Sequence, residues 1–280
     1  MTGAPPPIFD RSLAAARALR KQKAEANILT RTIAEELAER LSFVNRRFET
    51  ACLIAAEPGA IAARLMEQGQ VKEIETRRPS ETDALDLAAA RYDAVFSVLD
   101  LQGFNDVPGA LIQMRRALKP DGLLLACLFA GDTLSELRQS WLAAESAVTG
   151  GVSPRVSPMI DVRELGALLQ RAGLALPVAD LDRTIVRYAD PIALIHEIRE
   201  LGLSNTLTGR ARRFTSRAVM AAAVEHYQRN FADPDGRIRA TVEIAWLTGW
   251  APHESQQKPL KPGSAKARLA DALRVEEKKV

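Results

Sequence analysis

An α/β fold on a mostly parallel sheet is predicted by three features of this 280-residue chain. Short apolar runs alternate with amphipathic helical stretches, Gly, Pro and Asp punctuate the joins, and the length suffices for one full core. A hydrophobic fraction of 47% beside 26% charged residues is ordinary for a globular protein. The net charge of +3 is small and spread thinly, which argues against a nucleic-acid binder. Cys52 and Cys127 lie in apolar runs without a CxxC partner or a His cluster, so neither a metal site nor a disulfide framework is expected. Reduced thiols, no apolar stretch long enough for a bilayer and no secretory-type start together give a cytoplasmic address as the expectation.

The elements follow in order. Pro5, Pro6 and Pro7 make a stiff lead-in, and Ser12 to Leu41 reads as two helices hinged near Asn27 to Thr30. Phe48 to Ala56 is a first strand, followed by Glu57-Pro58-Gly59 and a short helix to Gln68. Val71 to Thr76, Tyr92 to Leu99 and Gly122 to Ala130 are further strands. The amphipathic stretch Asp106 to Leu118 sits between the last two and ends at Lys119-Pro120-Asp121-Gly122, where Pro and Gly turn the chain. Asp132 is expected to cap a helix to about Ala147, and Asp161 another through Leu169. Asp180 to Tyr188 reads as a strand, Ile192 to Leu201 and Ser216 to Phe231 as helices, and Arg237 to Trp250 as a last strand. This gives an N-terminal helical cap over 1–46, a sheet domain over 47–257 and a basic flexible tail over 258–280. Lys258, Lys261, Lys266, Arg268 and Arg274 fit that tail either to an acidic protein or anionic lipid surface, as a peripheral contact, or to plain solvation.

Several segments resemble one known family. Ile8-Phe9-Asp10-Arg11, Asn105 to Leu111, Gly131 to Arg138, Gly150 to Pro154 and Gly249 to Gln256 resemble, in order and separation, the mitochondrial complex I assembly factor 5 family. Leu118 to Gly122 is similar to the loop before strand five of many class I methyltransferases. The resemblance covers nearly the whole chain and extends to the BioC-like malonyl-carrier-protein methyltransferase. It implies a Rossmann-like class I methyltransferase fold with a C-terminal helical insertion, a pocket for S-adenosylmethionine (SAM), and a protein substrate. The mitochondrial member is associated with hydroxylating an arginine of a complex I subunit.

Against that pattern the cofactor loop is eroded. The family's acidic-x-Gly-x-Gly-x-Gly lets backbone approach the methionyl end of SAM, with the acid pairing its ammonium. Here Leu53 stands at the acid, Ala55 and Glu57 at glycines, and only Gly59 survives, while Pro58 removes a donor. Side chains at Ala55 and Glu57 are expected to crowd the ligand. The span from Thr76 to Tyr92 is too short for two crossovers and a strand, so the sheet is expected to lack an element.

The cofactor-site candidates are Glu57, Gly59, Glu75, Asp83 and Asp100. Asp100 is the foremost, because open α/β sheets place chemistry at the carboxyl ends of strands. Each acid has a plainer alternative: solvation for Glu57 and Glu75, helix capping for Asp83 and Asp100. Trp250, His253 and Glu254 of the tail motif are candidates for a partner surface or for closing the pocket, and no catalytic residue is assigned. Three functions stay open: an enzyme acting on a protein side chain, a non-catalytic assembly or scaffold protein, and a small-molecule carboxyl methyltransferase.

Overall fold

Alternation along the strands decides how each face of the sheet is covered, in a computed structural model that describes residues 6–20 and 28–257. In β1 (Phe48–Ala55), Ala51, Leu53 and Ala55 point into a core shared with α2 (Ile28–Ser42) and α3 (Pro58–Gln68). Cys52 and Ile54 point the other way, toward α4 (Val107–Ala117) and α6 (Val162–Arg171). β3 (Tyr92–Val98) and β4 (Leu118–Phe129) divide in the same manner, and both faces end up dry. A third cluster joins α5 (Ser135–Thr149), α7 (Pro191–Glu200) and α8 (Arg217–Phe231) through Trp141, Leu194 and Tyr227. α2 therefore belongs to the main core, while α1 (Arg11–Arg20) precedes it in the chain.

The sheet has six strands in the order β2-β1-β3-β4-β6-β5, with β2 at Val71–Arg77, β5 at Ala175–Tyr188 and β6 at Ile238–Trp250. β2, β1, β3 and β4 run parallel, and β6 is antiparallel to both its neighbours. The order reverses between β1 and β3, which makes a crevice at their carboxyl ends, the place where open sheets of this type bind ligands. β2 is an edge, because residues 78–91 form neither helix nor strand. The expected loss of an element is thus located on the β2 side.

Local differences from the sequence reading have local causes. β4 starts at Leu118, four positions before Gly122, because Leu118 already pairs with Tyr92. Gly122 is required there: a Cβ would lie 2.9 Å from the Lys119 carbonyl oxygen and 3.1 Å from that of Asp93. β5 likewise begins earlier, at Ala175. Asp132 does not cap α5; its own N–H donates to the Glu243 carboxylate at 2.8 Å, and Leu134 sits at the cap with φ of 57°. Asp161 does cap α6, accepting from the Arg163 N–H at 2.8 Å. The break between α1 and α2 falls on residues 21–27, and the basic tail on 258–280, both outside the described residues.

Candidate cofactor site at the strand ends

The carboxyl end of β3 carries a buried ion pair. Leu99 takes a left-handed φ of 50°, a strained conformation for a leucine, and the chain then turns through Asp100 into a single 3-10 turn at Leu101–Gly103. Arg11, from the head of α1, reaches across with Nη1 3.0 Å from Asp100 Oδ1, and both side chains are 4% exposed. Its guanidinium lies 3.9 Å from the Phe104 ring centroid, and its Nε stands 3.8 Å from Asp83 Oδ1. Asp83 is itself held by the backbone N–H groups of Asn105 and Asp106. Burial pushes the Asp100 carboxyl above its ordinary value, the Arg11 charge pulls against it, and Asp83 adds to the rise.

A strap brings Arg11 there. The Asn105 side chain accepts from the N–H groups of Ile8 and Phe9 and donates to the Phe9 carbonyl. On the other side Phe9 bridges to Leu207, the Asp10 N–H donates to the Thr206 carbonyl, and Arg210 pairs with the Asp10 carboxylate at 3.1 Å. The Ile8-Phe9-Asp10-Arg11 signature is therefore a clamp that delivers one guanidinium. Sequence reasoning marks those residues as a motif without assigning Arg11, since its partner lies 89 positions away.

The end of β1 is different. Leu53 and Ala55 are buried in the α2–α3 core at 0% and 1% exposure, so the Ala55 methyl does not stand in the ligand's space and the expected crowding there is corrected. Glu57 accepts from the Thr30 hydroxyl at 3.2 Å and gives α3 no side-chain cap. Gly59 lies in the first turn of α3 where an added Cβ meets nothing within 4 Å, so this chain has no packing need for a glycine there.

Glu75 is not at the crevice's disposal. It pairs in register with Cys52, accepts from the Tyr92 hydroxyl at 2.9 Å, and meets Arg77 and Arg91 at 2.6 Å each. Burial works to raise its carboxyl, but Tyr92 and the two guanidinium groups outweigh this and hold it below the usual range. The same burial, with Glu75 beside it, pushes the Cys52 thiol up to about 11, and burial pushes Cys127 up to about 12, so neither is a nucleophile.

Next to the β4 end lies a cavity of about 340 Å³. Its walls are mainly apolar, with Ile33, Leu137, Leu194, Ile244 and Trp246 among them, and Gln102 on the side of the ion pair. Glu36, Asp182 and Glu197 supply carboxyl groups. Burial and the nearby Asp182 carboxylate raise Glu36 above its ordinary value. These acids were missed in the sequence because they come from α2, β5 and α7 and share no spacing.

Trp250, His253 and Glu254 fall at the opposite end of the sheet, by the start of β4. Trp250 pairs with Leu123 near the start of β4, the Ala251 N–H bonds the Gly122 carbonyl, and the His253 ring pairs with Ser255. They are not positioned to close a pocket at the carboxyl ends, because antiparallel β6 ends where β4 begins. The tail motif is instead tied to the Lys119–Gly122 turn, with Gln256 donating to Asp121 at 2.9 Å. Among the described residues no group of three His, Cys, Asp or Glu is arranged to hold a metal, and no helix is long and apolar enough to cross a membrane.

A sheet with a reversal beside β1 and one antiparallel strand next to the edge is the class I methyltransferase architecture, here short of one element beyond β2, and the comparisons agree. The family model for a methyltransferase domain matches residues 34–126. The structure of a putative methyltransferase from Bacillus halodurans superposes with a TM-score of 0.50 at 12% identity, covering 79% of this chain and 99% of that one. The YcgJ protein of Bacillus subtilis gives the same TM-score at 13% identity, with 78% and 99% covered. At the sequence level the chain belongs to the family of the mitochondrial arginine-hydroxylase NDUFAF5. It is 34% identical to the Rattus norvegicus member over 96% of this chain and 84% of that protein. It is 38% identical to the Danio rerio member over 66% of this chain, a match that spans 57% of that relative. Malonyl-[acyl-carrier protein] O-methyltransferase of Laribacter hongkongensis is 31% identical over 71% of this chain and 65% of its own length.

The relatives' names correct the cytoplasmic expectation, since the NDUFAF5 proteins are named as mitochondrial. Buried thiols point to a reducing environment and never distinguish one compartment from another. At the positions where the family's loop holds SAM, the acid and two of the glycines are replaced in this chain. Leu53 is sunk in the core where an acid is needed, and Glu75 is neutralised by Arg77 and Arg91. Asp83 is engaged by backbone donors.

Proposed function

We propose that this protein is an assembly factor of the NDUFAF5 kind, acting on a protein partner within respiratory complex I, and impaired in binding SAM in the standard pose. One observation carries the cofactor half: two of the candidate cofactor acids are already engaged by the chain's own donors, Glu75 by Tyr92, Arg77 and Arg91 and Asp83 by Asn105 and Asp106. Support for a protein side chain as target comes from the relatives' name and from the cavity beside β4. Apolar walls suit an alkyl stem, and Glu36 and Glu197 bring carboxyl groups for a cationic end, while Asp182 is already paired with Arg40 at 2.7 Å.

Deleting the gene is expected to remove the full-size complex I band on native gels, with rescue by the wild-type chain; unchanged assembly would count against the partner. A structure with S-adenosylhomocysteine seated over Glu57 to Gly59 would count against the cofactor half. The non-catalytic variant of this reading is favoured by the same saturated acids. It predicts that the captured partner has the same mass, by intact mass spectrometry, with and without the protein.

A further inference from the structure

An open groove of about 760 Å³ lies beside the cavity at the β4 end. Leu137 of α5 faces the cavity, whereas Arg138, Trp141 and Leu142 of the same helix line the groove. Arg155, Val156 and Met159 form a wall common to both. Three of the segments that resemble the family meet in this groove: Ile8 from one, Gly131 and Arg138 from another, Ser153 and Pro154 from a third. Its walls are tied to one another. The Thr208 hydroxyl donates to the Pro7 carbonyl at 2.8 Å, and the Asn205 side chain donates to the Pro154 carbonyl at 2.7 Å. Pro6, Pro7, Pro154 and Pro158 add fixed φ and no N–H. The groove is therefore shaped before anything enters it, which lowers the entropy cost of binding.

The charge along it has one sign. Arg138 and Arg155 are the charged residues of its lining. Arg155 is neutralised by Glu145 at 2.5 Å and lies 4.7 Å from the Trp141 ring centroid. Arg138 is half-buried, its Nη2 donates to the Ser157 carbonyl at 3.2 Å, and no carboxylate pairs with it among the described residues. A guanidinium with donors to spare between apolar walls selects a carboxylate.

We propose that this groove docks an extended, apolar segment of a protein partner that carries one acidic side chain. The carboxylate sits on Arg138, and an apolar neighbour packs on Trp141 and on Leu142, which is 42% exposed. The chain's own tail is a poor match, since residues 258–280 hold seven Lys or Arg against three acids. The common wall sets a docked segment beside the cavity assigned to the target side chain. The site rests on the reading above that the partner is a protein.

Fluorescence polarisation on the full chain tests it, with three fluorescein-labelled octapeptide pools. Each pool is degenerate in uncharged residues and holds Glu, Gln or Lys at one fixed inner position. The Glu pool is expected to bind about tenfold more tightly than the Gln pool, the size of one charge-assisted hydrogen bond, and the Lys pool more weakly still. Arg138→Gln is expected to bring the Glu pool down to the Gln level, with the Gln pool unchanged and the thermal melt cooperative. Gly209→Trp fills the groove from the wall facing Pro154, where the first added carbon lies 3.6 Å from that ring, and is expected to block every pool. Equal affinity for the Glu and Gln pools, no binding at all, or a Glu preference that survives Arg138→Gln would overturn the proposal. Binding undiminished by Gly209→Trp would overturn it too, as would a Lys preference, which places the peptide on the acids of the cavity. If the Glu pool binds through Arg138 while deleting the gene leaves complex I intact, the groove stands and the assembly reading fails. If assembly needs the gene and no pool binds, the groove fails and the assembly reading stands.

Discussion

The carboxyl ends of β1 and β3 are neighbours in the sheet and opposites in chemistry. At β1 the residues that would anchor a cofactor are apolar and sunk in the core, and the surviving glycine faces open space. At β3 a buried acid is met by a guanidinium from the chain's beginning, with bonding capacity left over. The fold is common to both; what differs is which strand end carries charge. A class of fold therefore does not tell which loop does the work.

The largest expected effect tests the charged end. Arg11→Met strands Asp100 as a buried unpaired charge, which costs about 3–5 kcal/mol of stability. Arg11→Met with Asp100→Leu removes both charges and is expected to recover most of that loss. Urea midpoints of the singles and the double give the coupling; additive losses would mean that the pair does not act as a unit.

A satisfied strand end is the natural control. At the end of β4, Glu243 is 4% exposed, accepts from the Asp132 N–H and meets Arg183 at 3.3 Å. Gly131 makes room for it: φ is 54°, and a Cβ would overlap the Glu243 carboxylate, whose displacement breaks the bond to Asp132. Gly131→Ala is expected to cost about 2–3 kcal/mol, from left-handed strain plus one lost charged hydrogen bond. A loss under about 0.5 kcal/mol in a thermal melt would show that this end is looser than the packing says.

Acids at the two kinds of site also respond to pH in opposite senses. Glu145 accepts from the Ser153 N–H at 2.6 Å and from Arg155. Burial works to raise it, but Ser153 and Arg155 outweigh that and hold it below 4.5. A lowered folded pKa contributes stability above the unfolded value and loses it as pH falls through the folded one. Glu145→Gln is thus expected to cost about 1–2 kcal/mol at pH 7, a gap that shrinks as pH drops below 4.5. Asp100, raised above 3.8 by burial, penalises the fold once it ionises, so Asp100→Asn should compare better with wild type as pH rises. A gap at Glu145 independent of pH would remove the contrast.

How much of this was legible in the sequence follows from range. The strands, the cap at Asp161, the missing element before Tyr92 and the loss of the acid at Leu53 are written in local pattern. Asp100 was legible as a strand-end acid, but Arg11 was not legible as its partner, because nothing local links the two. Glu75 looked available because strand position says nothing about Arg91 and Tyr92 arriving from the next segment. The Trp250 to Glu254 motif was legible as a motif only; that β6 runs antiparallel, carrying it to the far end of the strands, is a property of the assembled sheet.

The smallest effect bears on the apolar end. In a methyltransferase with an intact loop, the glycine at the position of Gly59 keeps the backbone close to the ligand, and a side chain there obstructs binding. In this chain Gly59 is exposed in the first turn of α3, and a methyl group added there would meet nothing within 4 Å. Gly→Ala inside a helix is worth about 0.5–1 kcal/mol through backbone entropy, less in the first turn. Gly59→Ala is therefore expected to stabilise the protein slightly, by up to about 1 kcal/mol, and to leave S-adenosylhomocysteine affinity unchanged. Stabilisation with a tenfold loss of affinity would instead say that the glycine is kept for a ligand over β1, and that the two strand ends share the work.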